Sequence, residues 1–185
     1  MESNGPVTYT QKWIEEFVIA YALCPFASQS FYNQQIIYKI SESCLWEDMA
    51  MDFAIYVLEL QGNMEDFSNA FILYPNYSVS FEDFYEFSFL CEDILKETNL
   101  DPIFQIVVFH PDFKYQHEPP DSHVHFTNRS PYPMIHILKV REVSKAISSS
   151  KNIDKVSIRN KEILEQMPRD VLQKQWVRYH SESKT

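Results

Sequence analysis

Chemically competent side chains are densest between residues 110 and 136. "FHPDF" sets His110 and Asp112 on either side of Pro111. An imidazole exchanges protons near neutral pH, and a carboxylate beside it can fix its tautomer, so the pair could act as a proton-transfer couple. The plainer role for a strand-end histidine is a hydrogen bond to a backbone carbonyl. "TNRSPYP" (127–133) places Asn128, Arg129 and Ser130 side by side. The guanidinium is a planar fork suited to carboxylate or phosphate. Pro131 suits the first turn of a helix and Ser130 its N-cap, so the spacing predicts a helix start whose free amides add to an anion site. The competing arrangement pairs Arg129 with an internal acid such as Asp112 or Asp121. His136 falls about a turn and a half into that helix. Arg159 and Asn160, in "IRN", open a later helix and offer a second polar contact or an ordinary exposed helix start.

Cys24, in "LCPFA", is the candidate nucleophile. It is expected at the carboxyl end of a helix, where the dipole disfavours thiolate, so a buried packing role competes. Cys44 and Cys91 read as structural. "HEPPDSHVHF" (117–126) contains an H-x-H pair, His123 and His125, whose rings would share one side of a strand. With His110, Glu118 and His136 they could hold zinc or iron; a solvated polar loop explains the same composition. The candidate set is therefore His110, Asp112 and Cys24 for catalysis, and Asn128, Arg129, Ser130, His136, Arg159 and Asn160 for ligand binding. No metal ligand is assigned, and no motif identifies a cofactor.

Composition narrows the ligand. The 185 residues suffice for one domain with a core, and 45% apolar content is that of a globular chain. The net charge of −10 and the absence of a basic run argue against a nucleic-acid groove. Only Gly5 and Gly62 are glycines, where about 7% of an average chain would be. That excludes the Walker loop and the dinucleotide fingerprint, which need clustered glycines. Six of the ten prolines lie at 25, 111, 119, 120, 131 and 133, so stiffness gathers near the candidate residues. The apolar stretches are too short to span a bilayer, and no basic region precedes an apolar run at the N-terminus. Three widely spaced cysteines fit a reducing compartment. A cytoplasmic protein with no nucleic-acid or membrane partner is expected, its oligomeric state open.

These residues must be positioned by a small set of elements. Thr10 can cap a first helix with Trp13, Ile14, Phe17, Val18 and Tyr21 on one face, ending at Cys24-Pro25. Strands are expected at 36–40, 70–74 and 103–109, and helices at 45–60, stopping near Gly62, and at 80–98, where Ser80 and Asp83 form a weak capping box. A polar loop of about twenty residues follows His110; loops of that length tend to be functional or disordered. Helices at 131–148 and 157–167, a turn at "SSSKNID" and a final helical piece to about Tyr179 complete the chain. Strand–helix–strand–helix–strand order favours parallel pairing. The expectation is a single α/β domain over 8–180 with a three-stranded, parallel sheet, an N-terminal helix and two or three C-terminal helices, between flexible termini at 1–7 and 181–185. An α+β arrangement with a mixed sheet is the alternative. Ligands of open parallel sheets bind at the strands' carboxyl ends, where His110 and the long loop lie.

Taken together, "LCPFA", "FQIVVFHPDF", "EPPD", "TNRSPYPMIHIL" and "IRN" resemble the uncharacterised bacterial and plastid family catalogued as domain of unknown function 1415. The resemblance runs in order from about residue 10 to 167. It implies a shared architecture and a shared site, but no reaction. Cys24, His110, Asp112, Glu118, Asp121, Asn128, Arg129, Ser130 and His136 match its pattern. The chain departs from it at Lys139-Val140, in place of an Arg-Glu pair, and at His117, in place of a glycine; His123 and His125 lie outside it. The favoured function is an enzyme or binding protein for a small anionic metabolite, at a site formed by the FHPD strand end and the TNRSPYP helix start. The alternatives are a metal-binding protein and a non-catalytic interaction module.

Overall fold

The computed structural model describes residues 5–77, 80–149 and 156–174. Its middle layer is one mixed sheet of four strands in the order β1-β2-β4-β3. β1 (Ile36–Ile40) pairs parallel with β2 (Asn69–Leu73). β4 (Met134–Lys139) runs antiparallel to both β2 and β3 (Phe104–Phe109). The crossovers are α3 (Trp46–Gly62) and α4 (Phe81–Glu97), as the sequence indicates. Ser80 caps α4: its hydroxyl accepts from the Asp83 amide at 3.1 Å and donates to the Asp83 carboxylate at 2.7 Å.

The three-stranded parallel sheet is corrected by β4, which separates β2 from β3, so the mixed-sheet alternative describes the fold. The helix expected over 131–148 is corrected with it: 134–139 is strand, and α5 (Val140–Ser149) begins only afterwards. In β4, Ile135 and Ile137 face one side and Met134 the other, so both faces are apolar. A central strand then reads as a nearly continuous apolar run, which periodicity does not separate from a buried helix. Pro131 and Pro133 lack an N–H and sit just before the ladder; Pro133 supplies a carbonyl to the Tyr74 amide at 3.0 Å.

Helices cover both faces of the sheet. Met49, Phe53 and Val57 of α3 and Phe84, Phe87 and Cys91 of α4 pack against Ala70, Ile72, Phe104, Ile135 and Ile137. Against Phe71, Leu73 and Met134 on the other face lie Trp13, Ile14 and Phe17 from the N-terminus. Leu164 of α6 (Val156–Gln166) and Leu172, in a helical stretch at 169–174, join them. Each such side chain contributes about 1.5–3 kcal/mol on burial.

α1 (Pro6–Trp13) starts ahead of the expected cap and continues as a π-helical turn, Ile14–Ile19. Thr10 is therefore inside the helix, donating to the Pro6 carbonyl at 2.8 Å, and the expected flexible stretch 1–7 is helical from Pro6 on. A short α2 (Ala27–Tyr32) follows. Burial pushes the Cys91 thiol well above its ordinary pKa, whereas Cys44 is exposed before α3. Most of the expected "SSSKNID" turn, the end of the final helical piece and the 181–185 tail lie outside the described residues. Among the described residues no helix is long and apolar enough to cross a membrane.

Candidate functional site

His110 leaves β3 into a tight turn and is only 2% exposed. Its ring lies between Phe81 and Phe84, with centroids 5.8 and 5.7 Å away. Nδ1 accepts from the Asp112 backbone amide at 3.0 Å. Nδ1 is thus met by the Asp112 backbone amide, and a neutral ring carries its proton on Nε2. The His110 amide donates to the Asn128 carbonyl at 3.2 Å, which ties "FHPDF" to "TNRSPYP".

That second motif is an irregular approach to β4, turned at Asn128 and bent at Pro131 and Tyr132, rather than a helix start. Asn128 donates from Nδ2 to the Val108 carbonyl at 3.0 Å and accepts at Oδ1 from the Tyr115 hydroxyl at 2.8 Å. Ser130 is fully buried and donates to the Tyr132 carbonyl at 2.6 Å, so it caps no helix. Arg129 faces no internal acid at ion-pair distance among the described residues. Its guanidinium lies 4.5 Å over the Phe126 ring, and Nε donates to the Phe113 carbonyl at 3.3 Å. Burial lowers its pKa, and the charge of Asp112 acts in the opposite sense. Asp121 stands instead 3.9 Å from Arg169. His136, on β4, stacks on Phe71 at 4.1 Å with its Nε2 3.0 Å from the Asn69 amide oxygen. Burial pushes its pKa down to about 3, so the ring is neutral and Nε2 donates.

"LCPFA" and "IRN" meet directly. Arg159 donates to the Ala22 carbonyl, and Asn160 donates from Nδ2 to the Leu23 carbonyl at 2.6 Å. Ala22 has φ 52°, a left-handed conformation that an L-residue adopts at a cost, so α6 holds a strained turn. Cys24 sits in this turn, between the π-helical segment and α2, rather than at a helix end. α6 is also fastened to the long loop. Lys161 reaches Glu118 at 2.8 Å, Ser122 donates to the same carboxylate at 3.1 Å, and His123 Nδ1 donates to the Leu164 carbonyl at 3.0 Å. The lysine holds the Glu118 carboxyl below its usual range.

Between these fastenings opens a cleft of about 960 Å³. Val107 and Phe109 of β3 form its floor, Val18, Leu23 and Cys24 one wall, and Tyr115 to Glu118 with Val124, Thr127 and Asn128 another. The first turns of α6, from Val156 to Lys161, close the third side. Of the sequence candidates, Cys24, Asn128 and Asn160 line the cleft; His110, Asp112, Arg129, Ser130, His136 and Arg159 do not. The structure therefore does not gather the whole set into one pocket. Lys161, Tyr115 and the β3 floor escaped sequence reasoning; Lys161 directly follows "IRN", which is the one local signal that pointed to it.

The H-x-H pair lies in a 3-10 turn, His123–Thr127, not on a strand. His125 accepts at Nδ1 from the Tyr115 amide at 3.1 Å and donates from Nε2 to the Pro119 carbonyl at 2.9 Å. Burial lowers its pKa. Both rings thus brace backbone, and among the described residues no group of three or more His, Cys, Asp or Glu is placed to hold a metal ion.

Neither a search of curated proteins nor one of solved structures found a match. A family model described as "Protein of unknown function (DUF1415)" matches residues 6–174. That span takes in both pairs of meeting motifs and all three walls of the cleft. The chain belongs to the DUF1415 family of proteins of unknown function.

Proposed function

We propose that the protein binds a small organic molecule bearing an anionic group, in the cleft between β3 and α6. The observation that carries this reading is the convergence of Cys24, Asn128 and Asn160, from three separated motifs, on one braced concavity. A volume of about 960 Å³ falls among small-molecule sites, which are mostly apolar with a few placed polar groups. Val18, Val107 and Phe109 suit a hydrocarbon portion. The amino end of α6 favours negative charge on the opposite side, beside the Lys161–Glu118 ion pair, from which an anion could draw the lysine. In this reading Cys24, Asn128 and Asn160 touch the ligand. Arg159, Arg129, Ser130 and His110 hold the walls, Asp112 supplies its amide to the His110 turn, and His136 packs beside the floor on the same face of the sheet. The anion site thus lies beside the FHPD strand end, inside the cleft, and Cys24 is the nucleophile available to any reaction there.

The test is a thermal-shift screen of small carboxylates and phosphate monoesters on the wild type and on Cys24→Trp, whose indole projects from the Cys24 wall and obstructs the cleft. A ligand at about a hundred times its Kd stabilises the wild type by about 2.7 kcal/mol and leaves Cys24→Trp unmoved. Equal stabilisation of both proteins, or none across the panel, would sink the reading.

A further inference from the structure

The charge of the chain is gathered on one side of the molecule. α3 carries Glu47, Asp48, Asp52 and Glu59 and no basic residue; α4 carries Glu82, Asp83, Glu86, Glu92, Asp93 and Glu97 against Lys96. Four acids and six, less one lysine, leave −9 on this helical layer, of −10 for the whole chain. Lys39 engages Glu59 and Lys96 engages Asp93. Asp52 accepts from two serines, and Asp83 belongs to the α4 cap. Among the described residues, Glu47, Asp48, Glu82 and Glu86 have no cation within ion-pair distance.

The same layer exposes apolar side chains that the core does not use. Met51, Ile55 and Leu58 are 63%, 47% and 51% exposed. They recur at i, i+4 and i+7, a single stripe on α3 turned away from Met49, Phe53 and Val57, which meet the sheet. Phe89 and Leu90 are exposed on α4, which packs beside α3. Glu47 and Asp48 lie one turn before Met51 on the same helix, so the stripe has acidic neighbours at its amino end.

We propose that the outer face of α3 and α4 docks a basic amphipathic helix of a partner protein. Its apolar stripe lies along Met51, Ile55 and Leu58, and its lysines or arginines meet Glu47, Asp48, Glu82 and Glu86. Charge selects this occupant. A second copy would bring −9 against −9, and an anionic membrane or nucleic acid would be repelled in the same way. An amphipathic helix laid on a hydrophobic face needs anchors at i, i+3 or i+4 and i+7, the spacing that α3 presents. The surface lies on the opposite face of the sheet from the cleft, so it does not depend on the ligand reading.

The probe is a synthetic Leu/Lys peptide with leucines at helical spacing, beside a scrambled peptide of the same composition, titrated by calorimetry at about 0.15 M salt. One-to-one saturable binding of the patterned peptide is expected, with the scrambled peptide at least about ten-fold weaker. The deciding variant is Ile55→Asp/Leu58→Asp. It adds negative charge, so attraction by charge alone would strengthen, whereas docking on the stripe weakens by about ten-fold or more. Both positions are exposed, and circular dichroism checks that the fold persists. Equal binding of the two peptides, or affinity kept or raised in the double variant, overturns the proposal. So does sedimentation showing a wild-type dimer that the double variant dissolves.

Discussion

Asn160 stands in a short, almost buried hydrogen bond to the Leu23 carbonyl, and its neighbour Arg159 holds the carbonyl one residue earlier. Removing the amide leaves a carbonyl facing α6 without its donor, so Asn160→Ala is expected to cost about 1–3 kcal/mol in urea denaturation. It should also loosen the strained turn at Ala22. In a Cys44→Ser background, with Cys91 buried, Cys24 is the accessible thiol, and Asn160→Ala should speed its modification by a disulfide reagent. An unchanged rate would mean that α6 does not position Cys24. His136 gives a pH dependence. Its folded pKa, about 3, lies below the ordinary 6.5. Above about pH 6.5 neither the folded nor the unfolded ring is protonated and the residue contributes nothing to the pH dependence. As pH falls from there towards 3, the unfolded ring takes up a proton that the folded ring refuses, and stability drops by up to about 1.4 kcal/mol per unit. His125, also lowered by burial, acts in the same direction, while Glu118, its carboxyl held low by Lys161, adds a loss only within the more acidic carboxylate range. The urea midpoint of the wild type should therefore fall between about pH 7 and pH 5, and His136→Phe, which keeps the stack on Phe71, should show a shallower fall. Parallel slopes in the two proteins would exclude His136 as the source.

Elements whose residues carry their own instructions were legible in the chain. "IIYKI" is β-branched and bounded by polar residues, and it is β1; Ser80 and Asp83 mark the start of α4 by a bond that closes within four residues. β4 was not legible, because "MIHILK" is apolar towards both layers and only its neighbours decide that it extends. Its partners Asn69–Leu73 and Phe104–Phe109 lie far back in sequence, and nothing local announces them. The cleft shares this property: "LCPFA" and "IRN" stand out singly, but their meeting joins residues 137 positions apart. Placing β4 at the centre of the sheet has a measurable consequence. The amides of Met134–Lys139 should belong to the slowest class in native-state hydrogen exchange. Ile135→Ala should cost about 2–5 kcal/mol, as a fully buried core truncation does. Ile158→Ala, at an exposed position of α6, should stay within about 0.5 kcal/mol. Fast exchange over 134–139 together with a small effect at Ile135 would contradict the central placement.

At the scale of the whole molecule, the sheet separates two unlike halves. One face carries the N-terminal helices, α6 and the cleft; the other carries α3 and α4, nearly all the excess charge and the exposed stripe. Like charges crowded on one layer oppose the compact state, and at about 0.15 M salt screening reaches only roughly 8 Å. Such a layer is kept at some expense of stability if it serves a partner, and that trade can be measured. Glu82 and Glu86 are four apart on α4 and repel. Glu86→Lys replaces that repulsion with a Glu-to-Lys pair in the favourable order, so the isolated protein should gain about 0.5 kcal/mol at low ionic strength. The gain should vanish near 1 M salt, where the screening length shrinks to about 3 Å. The same variant should bind the patterned Leu/Lys peptide more weakly than the wild type, because one of its contacts has changed sign. Scanning fluorimetry across ionic strength and peptide calorimetry on the one variant thus read opposite outcomes. A stabilised protein with undiminished peptide affinity would show that the acidic layer is not the docking rim, whereas a gain that survives high salt would trace to helix propensity rather than to charge.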